Sequence, residues 1–180
     1  PDLVLTGGEN SGVFFGSGTG GFISADMGLP EFSDGSSAIG DVNGDGHQDF
    51  VVSGFASEPR TTVYLGDGTG DFVVAEAGLP GAQHSTSNLS DVNGDGALDL
   101  LITGNSPSEN GPSAMLYLGN GSGGFTSADA GIDGVMNGTV EIGDLNGDGH
   151  RDLLVAGDST SIESPSTTLY LGSETGTFTK

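Results

Sequence analysis

The sequence predicts an all-β protein in which about four similar sheets follow one another along the chain. An acidic loop of nine residues recurs at a regular interval, with 50 residues from Asp41 to Asp91 and 53 from Asp91 to Asp144. A period of this length indicates a stacked or radial repeat architecture. The 35 glycines, the 33% hydrophobic content and the absence of Trp favour short strands joined by turns over helices.

The acidic loop has the residues and the spacing of a cation site. In its first copy, Asp41, Asn43 and Asp45 occupy alternate positions, so a curled loop turns their side-chain oxygens toward one point. Glycines between them allow the tight turns, and Asp49 adds a further carboxylate. Oxygen ligands without nitrogen or sulfur suit Ca2+ better than a transition metal. The three copies are DVNGDGHQD from Asp41, DVNGDGALD from Asp91 and DLNGDGHRD from Asp144.

Two alternative interpretations of the loop are weaker. An EF-hand loop needs an acidic ligand at its twelfth position and a helix after it, whereas that position holds Val52, Ile102 or Val155. The acid stands at position nine and opens the apolar runs DFVVSG, DLLITG and DLLVAG, which are typical of buried strands. A surface turn that binds nothing would explain one copy. It does not explain the fourth acidic or amide side chain in all three copies.

The pattern DxNGDGxxDL followed by an apolar strand resembles the FG-GAP or VCBS repeat of integrin α-subunit-type β-propellers, over nearly the whole chain. The resemblance implies four-stranded antiparallel blades, with Ca2+ in the hairpin between the first and second strands. Phe50 stands where the other copies have Leu. The implied ligands of the three sites are Asp41, Asn43, Asp45, the His47 carbonyl and Asp49; Asp91, Asn93, Asp95, the Ala97 carbonyl and Asp99; and Asp144, Asn146, Asp148, the His150 carbonyl and Asp152.

Two further signatures occur four times each and give the strand count. The apolar strand that follows the acidic loop also occurs near the start of the chain, from Asp2, without a loop before it. The second signature is an apolar strand, a Gly-rich turn and a Phe that opens the next strand, which predicts a tight hairpin. No Lys or helix start follows these turns, so phosphate binding is not expected. The hairpins begin at Val13, Val63, Leu116 and Leu169, and their phenylalanines, Phe22, Phe72, Phe125 and Phe178, are expected in the core between sheets.

Together the signatures predict fifteen strands in a single propeller or part-propeller domain of about four blades, the first blade lacking its first strand. The predicted blades are residues 1–32, 33–82, 83–134 and 135–180. Three arrangements satisfy this count: a piece of a longer propeller, a closed four-bladed ring, or copies that complete one another. The spacing does not choose among them.

Charge and composition exclude several partners. Against 25 Asp and Glu the chain has 3 Lys and Arg, a formal net charge of −22, so it lacks the basic patch that nucleic acids or anionic membranes require. No apolar run approaches the ~20 residues of a membrane helix, so no membrane insertion is expected, and the lack of a signal peptide predicts a mature or excised chain. The absence of Cys excludes disulfides and thiolate metal sites. Calcium loops without thiols predict a secreted or cell-surface protein, because extracellular calcium fills weak sites.

Recognition is expected on the face opposite the calcium loops, where the connections are long and dissimilar. Catalysis is not expected: His47 and His150 lie in calcium loops, His84 stands alone, and no nucleophile elbow or oxyanion motif is present. The predicted connections of that face are Gly7 to Gly12, Phe55 to Thr61, Asn105 to Ser113, Asp158 to Thr167, Pro30 to Ser36, Pro80 to Ser87 and Asp133 to Thr139.

Two functions are compatible with these features. The first is a calcium-stabilised, non-catalytic extracellular module that binds a protein or glycan in recognition or adhesion. The alternative is a self-assembling structural subunit, in which copies complete one another's blades or strands to form a closed oligomer or an extracellular fibre.

Overall fold

The part of the chain that the structure describes forms fifteen strands in four antiparallel sheets. The structure is a computed structural model that describes residues 2–7, 11–25, 27–75, 77–107, 111–159 and 165–180. Within these ranges no helix is long and apolar enough to cross a membrane.

Each sheet is one blade of a β-propeller-like fold. Blade 1 contains β1 (Leu3–Leu5), β2 (Gly12–Gly16) and β3 (Phe22–Ala25). Blade 2 contains β4 (Ser33–Gly40), β5 (Asp49–Ala56), β6 (Glu58–Gly66) and β7 (Phe72–Ala75). Blade 3 contains β8 (Gln83–Ser90), β9 (Asp99–Ser106), β10 (Gly111–Gly119) and β11 (Phe125–Ala128). Blade 4 contains β12 (Met136–Gly143), β13 (Asp152–Asp158), β14 (Ser166–Gly172) and β15 (Phe178–Thr179).

The strands of every blade pair in chain order, as in a meander. In blade 1, Leu3 pairs with Phe14, the register at which Phe50 pairs with Tyr64 in blade 2. The strands β1, β2 and β3 therefore correspond to the second, third and fourth strands of a complete blade. The prediction of about four blades, the first lacking its first strand, is confirmed.

The hydrophobic core lies between blades rather than within one sheet. Successive side chains of a strand point to opposite faces, so the apolar run of β5 serves two junctions. Phe50 and Val52 pack toward blade 1, and Val51 packs toward blade 3. The same division in β9 and β13 gives three core clusters, one each between blades 1 and 2, 2 and 3, and 3 and 4. Among the described residues, no cluster joins blade 4 to blade 1, so the four blades form an open arc.

The prediction that all four hairpin phenylalanines are core residues is wrong for Phe22. Phe72, Phe125 and Phe178 lie in or against the inter-blade clusters, whereas Phe22 is 52% exposed. Phe72, Phe125 and Phe178 each pack toward the preceding blade. Among the described residues no blade precedes blade 1, so Phe22 has no such partner.

The first strand of each complete blade begins within a segment that the sequence predicted as a connection. Strands β4, β8 and β12 have eight residues each, with a shift in pairing register near the start of each one. At these shifts Asp34, His84 and Asn137 adopt left-handed backbone angles, with φ of 51°, 53° and 51°. Short polar side chains and His tolerate this conformation better than branched ones. The connections predicted to extend to Ser36, Ser87 and Thr139 therefore end earlier.

Other predicted connections are also shorter than expected. The prediction of a loop from Phe55 to Thr61 is wrong, because β5 and β6 are joined by a tight turn at Ser57, whose φ is 65°. The loop from Asn105 to Ser113 is shortened by β9 and β10, and its residues 108–110 lie outside the described residues. The loops from Gly7 to Gly12 and from Asp158 to Thr167 also fall partly outside them.

Side-chain hydrogen bonds join the first strands of neighbouring blades. Thr86 and Asn88 of β8 donate to the carbonyls of Gly138 and Val140 in β12, at 2.8 and 3.0 Å. Ser36 of β4 bonds Ser87 of β8 at 3.1 Å. These contacts align successive blades and thereby fix the relative positions of their loops.

Candidate metal centres and recognition face

Each acidic loop joins the first and second strands of a complete blade. The first loop lies between β4 and β5, and Gly44 and Gly46 within it have φ of 74° and 86°. Non-glycine residues rarely adopt these angles, so the two glycines allow the loop to curl. The corresponding glycines of the other loops have φ between 75° and 90°. The three loops thus share one backbone conformation and lie at the same end of their blades.

The first residue of the loop holds the curl by accepting backbone hydrogen bonds. Asp41 Oδ1 accepts from the amides of Gly44 and Asp45 at 2.7 and 3.2 Å, and Oδ2 accepts from Gly46 at 2.8 Å. Asn43 Oδ1 accepts from the Asp45 amide at 3.0 Å. The same bonds form around Asp91 and Asp144. The loops are therefore ordered by their own side chains.

The fifth position carries an exposed carboxylate that is kept ionised. Asp45 accepts hydrogen bonds from the His47 amide at 2.8 Å and from Asn43 Nδ2 at 2.9 Å. The His47 amide is the larger cause, and together these donors hold the pKa of Asp45 below its usual value. The pKa values of Asp95 and Asp148 are likewise lowered by the equivalent donors, which are the Ala97 amide and Asn93 in one loop and the His150 amide and Asn146 in the other. Each loop therefore presents a charged oxygen ligand to solvent.

The ninth position carries a buried carboxylate. Asp49, Asp99 and Asp152 are at most 1% exposed. Asp99 accepts from the amides of Val92 and Gly119, both at 2.9 Å, and burial nevertheless raises its pKa. Among the described residues the ion pair that forms is Lys180 with Asp133, away from the loops. A buried carboxylate without a cation is costly, and a metal ion beside it would offset that cost.

The ninth residue also ties the loop to the Gly-rich hairpin of its own blade. The amides of Gly66, Gly119 and Gly172 donate to Asp49, Asp99 and Asp152 at 2.8 to 2.9 Å. A Cβ on any of the three glycines would overlap the backbone carbonyl of the residue before the acid. Sequence reasoning assigned these glycines only to a turn and missed this contact. In the sequence, the YLG ending that all three strands share marks the glycine that makes this contact.

Blade 1 has the same hydrogen bond between a hairpin glycine and an aspartate, although no acidic loop precedes its first strand. The Gly16 amide donates to Asp2 Oδ1 at 2.9 Å, the bond that Asp49 makes in blade 2. The carboxylate therefore has a structural role that does not depend on a metal.

A second backbone contact joins the acidic loop to the following blade. The Gly123 amide, in the hairpin of blade 3, donates to the carbonyl of Val42, in the loop of blade 2, at 3.1 Å. In blade 4, a Cβ added at Gly176 would lie 3.2 Å from the Cβ of Asn93, so its hairpin approaches the loop of blade 3 in the same way. The acidic loops of blades 2 and 3 thus each contact two hairpins, that of their own blade and that of the following blade.

The loops fit calcium by the chemistry of their donors. Their side chains offer oxygen alone, and a carboxylate oxygen that accepts one amide retains a further lone pair for a cation. As they stand, no three His, Cys, Asp or Glu side chains within the described part of the chain converge closely enough to hold a metal ion. The amide oxygen and the carbonyl of each loop would have to complete the set, so the fifteen predicted ligands remain predictions.

Replacing Asp99 by Ala is expected to destabilise the protein by about 3 kcal/mol even without calcium, because two buried amides lose their acceptor. Asp95→Ala in the same loop is the matched control, and we expect a much smaller change because Asp95 is exposed. Urea unfolding in a calcium chelator measures both. Equal stability of Asp99→Ala and the unchanged protein would contradict the structural role of this carboxylate.

A cleft opens between blades 1 and 2, alongside β6 and β7. It has a volume of about 610 Å³ and combines apolar walls with the exposed side chains of Glu58 and Arg60. Its apolar lining includes Met27, Leu79 and the ring of Tyr64. Burial raises the pKa of Tyr64, although Arg60 opposes this shift, so the phenol stays neutral. Sequence reasoning missed the cleft because its residues come from two blades.

Comparisons with known proteins agree with the repeat and the fold. Residues 91–155 match the FG-GAP-like repeat family and span the second and third acidic loops. A solved structure of an Agrocybe aegerita lectin, described as specific for non-reducing terminal N-acetylglucosamine, is similar with a TM-score of 0.61 and 23% identity. The match covers 99% of this chain and 47% of the lectin, so the chain spans about half the length of that protein. None of the curated proteins compared with the chain matches it.

Proposed function

We propose that this chain of FG-GAP-like repeats is a calcium-stabilised, non-catalytic recognition module that binds a glycan in the cleft between blades 1 and 2. The cleft is the observation that carries the proposal. Its volume of about 610 Å³ is that of a small-molecule site, and its mixed lining suits a sugar. The similar lectin supports a glycan rather than a protein as the first ligand to test.

The chemistry of the lining suits a sugar ring. Arg60 and Glu58 offer a cationic donor and an anionic acceptor for hydroxyl groups, and both are exposed at the mouth of the cleft. Met27 and Leu79 provide apolar surface for the C–H face of a pyranose. Arg60 is one of three Lys and Arg residues in a chain of net charge −22, and it is the one that lines the cleft.

Calcium has a structural role in this proposal. Three ions would be held by the carboxylates, amide oxygens and carbonyls of the acidic loops. Bound calcium would neutralise acids crowded in each loop and stabilise the blades that form the cleft walls. The proposal includes a location outside the cell or at its surface, where calcium is plentiful. Attachment of a cell or protein to a glycan-bearing surface is the corresponding biological role.

Binding to a panel of glycans that includes N-acetylglucosamine-terminated oligosaccharides tests the proposal. We expect Arg60→Ala to weaken binding of the selected glycan at least tenfold, equivalent to about 1.4 kcal/mol. Arg151→Ala is the matched control, because Arg151 lies at the end of an acidic loop and outside the cleft. Titration calorimetry in millimolar calcium measures both affinities. A panel without any binder, or equal binding by the two variants, would reject the cleft as a glycan site.

A further inference from the structure

A tyrosine occupies the same place in each of the three inter-blade junctions. Tyr64, Tyr117 and Tyr170 each stand two residues before the glycine that ends the third strand of their blade. All three are at most 7% exposed, and each belongs to the core cluster shared with the preceding blade. The groups that surround the three rings can therefore be compared position by position.

In blade 4 the protein itself satisfies the hydroxyl and covers the ring. Tyr170 Oη accepts the backbone amide of Asp133 at 3.0 Å. Lys180, at the place that Val74 holds in blade 2, pairs with the Asp133 carboxylate, and its Nζ lies 5.8 Å from the centre of the Tyr170 ring. This junction is thus closed by contacts between its own residues.

In blade 2 the equivalent hydroxyl faces open space. Pro30 of ADMGLP stands where blade 4 has Asp133 in ADAGID, and proline has no amide hydrogen to donate. Among the described residues no group hydrogen-bonds the Tyr64 hydroxyl. Tyr64 is only 6% exposed, but it lines the cleft. Since no fully buried polar side-chain atom in the described ranges lacks a partner, this hydroxyl must reach the open volume of the cleft.

In blade 3 a larger side chain fills the corresponding space. Blade 3 also has a proline, Pro80, at the place of Pro30. Met115, however, stands two residues before Tyr117, where blade 2 has Thr62. The methionine packs against the core cluster between blades 2 and 3, whereas Thr62 lines the cleft. The short side chain of Thr62 and the proline together leave the blade 2 tyrosine accessible.

We propose that Tyr64 determines specificity in the glycan cleft by hydrogen-bonding a sugar hydroxyl, and that this junction is the one glycan site among the three that the described residues form. The inference rests on the proposed function of the cleft. A phenol can donate and accept, so it matches a hydroxyl of either polarity. A site that hydrogen-bonds a hydroxyl discriminates strongly against analogues that lack it. Arg60, exposed at the mouth, would contact an outer part of the same sugar.

Titration calorimetry of Tyr64→Phe with the tightest-binding oligosaccharide of the panel tests this contact. We expect about five- to tenfold weaker binding, because one hydrogen bond to the sugar is lost. The fold should be unaffected, since a Phe ring can keep the stacking on Phe50, whose centre lies 4.6 Å away. Tyr170→Phe is the matched control. It loses the bond to the Asp133 amide, so its melting temperature should fall while its affinity for the oligosaccharide stays the same.

Monodeoxy analogues of the bound sugar identify the hydroxyl that Tyr64 contacts. The analogue without that hydroxyl should bind the unchanged chain more weakly and should lose nothing further with Tyr64→Phe, because both changes remove the same hydrogen bond. Thr62→Met should fill the cleft as Met115 does in blade 3 and abolish binding, with circular dichroism as the check on folding. The titrated stoichiometry should be one oligosaccharide per chain.

The outcomes separate this inference from the proposed function. Weaker binding by Arg60→Ala together with unchanged binding by Tyr64→Phe would leave the cleft as the glycan site and overturn the role of Tyr64. Two or three oligosaccharides per chain, or a further loss with Tyr64→Phe for every deoxy analogue, would also overturn the inference. A panel without any binder rejects the proposed function and this inference together.

Discussion

Removing calcium is expected to lower the melting temperature by on the order of 20 °C. At a free concentration 100 times the dissociation constant, each bound ion adds about 2.7 kcal/mol, so three independent sites add about 8 kcal/mol. For a chain of this size each kcal/mol corresponds to about 2–4 °C. The physical reason lies in the buried carboxylates Asp49, Asp99 and Asp152, which no cationic side chain within the described ranges pairs.

Scanning calorimetry in millimolar calcium, in chelator and in millimolar magnesium measures this shift. Magnesium controls for ionic strength, because it demands a smaller and more regular octahedral site. Asp45→Ala should reduce the titrated stoichiometry from three ions to two, whereas Asp71→Ala removes the same charge outside the loops and should leave three. Identical melting in calcium and in chelator would show that the loops do not bind the ion.

Substitution of Gly119 by Ala is expected to destabilise the protein by about 3 kcal/mol or more, with or without calcium. The added Cβ would overlap the carbonyl oxygen of Leu98, so either β10 or the acidic loop must move. Movement of the strand also stretches the 2.9 Å bond from the Gly119 amide to Asp99. The backbone angle at this glycine is not in the left-handed region, so close approach alone is responsible.

Gly143→Ala is the matched control for this substitution. Its Cβ would have no neighbour nearer than 4.0 Å, and Ser90 occupies the equivalent position in blade 3. Urea unfolding of both variants in chelator and in calcium separates a steric effect from a loss of metal. If Gly119→Ala unfolds at the same urea concentration as Gly143→Ala, the close approach of loop and hairpin is not what the structure describes.

The strands and loops were predictable because their signals are local. The acidic loops with Asp at position nine, the apolar runs and the Gly-rich hairpins each recur along the chain, and together they predict the fifteen strands. Burial at the ends of the arc was not predictable from such signals. Leu116 and Leu169 each open an LYLG segment. Leu116 is buried against the following blade, whereas Leu169, which has no following blade among the described residues, is 45% exposed.

Two other features were missed. The connection predicted from Phe55 to Thr61 is a tight hairpin, in which Pro59 pairs with Phe55 beside the turn at Ser57. The acid at position nine was interpreted as a metal ligand alone. Its second role, as acceptor for the amide of a glycine 17 to 20 residues later, is a long-range contact that spacing does not reveal.

The hydrogen bond from the Gly123 amide to the Val42 carbonyl links the acidic loop of blade 2 to the hairpin of blade 3. If an ion binds in the loop of blade 2, it would also restrain that hairpin, which is tied through Asp99 to the next loop. Nearest-neighbour coupling of this kind favours filling adjacent sites together, and linkage makes the effect mutual between them. Calcium occupancy would then rise over a narrower concentration range than three isolated loops would show.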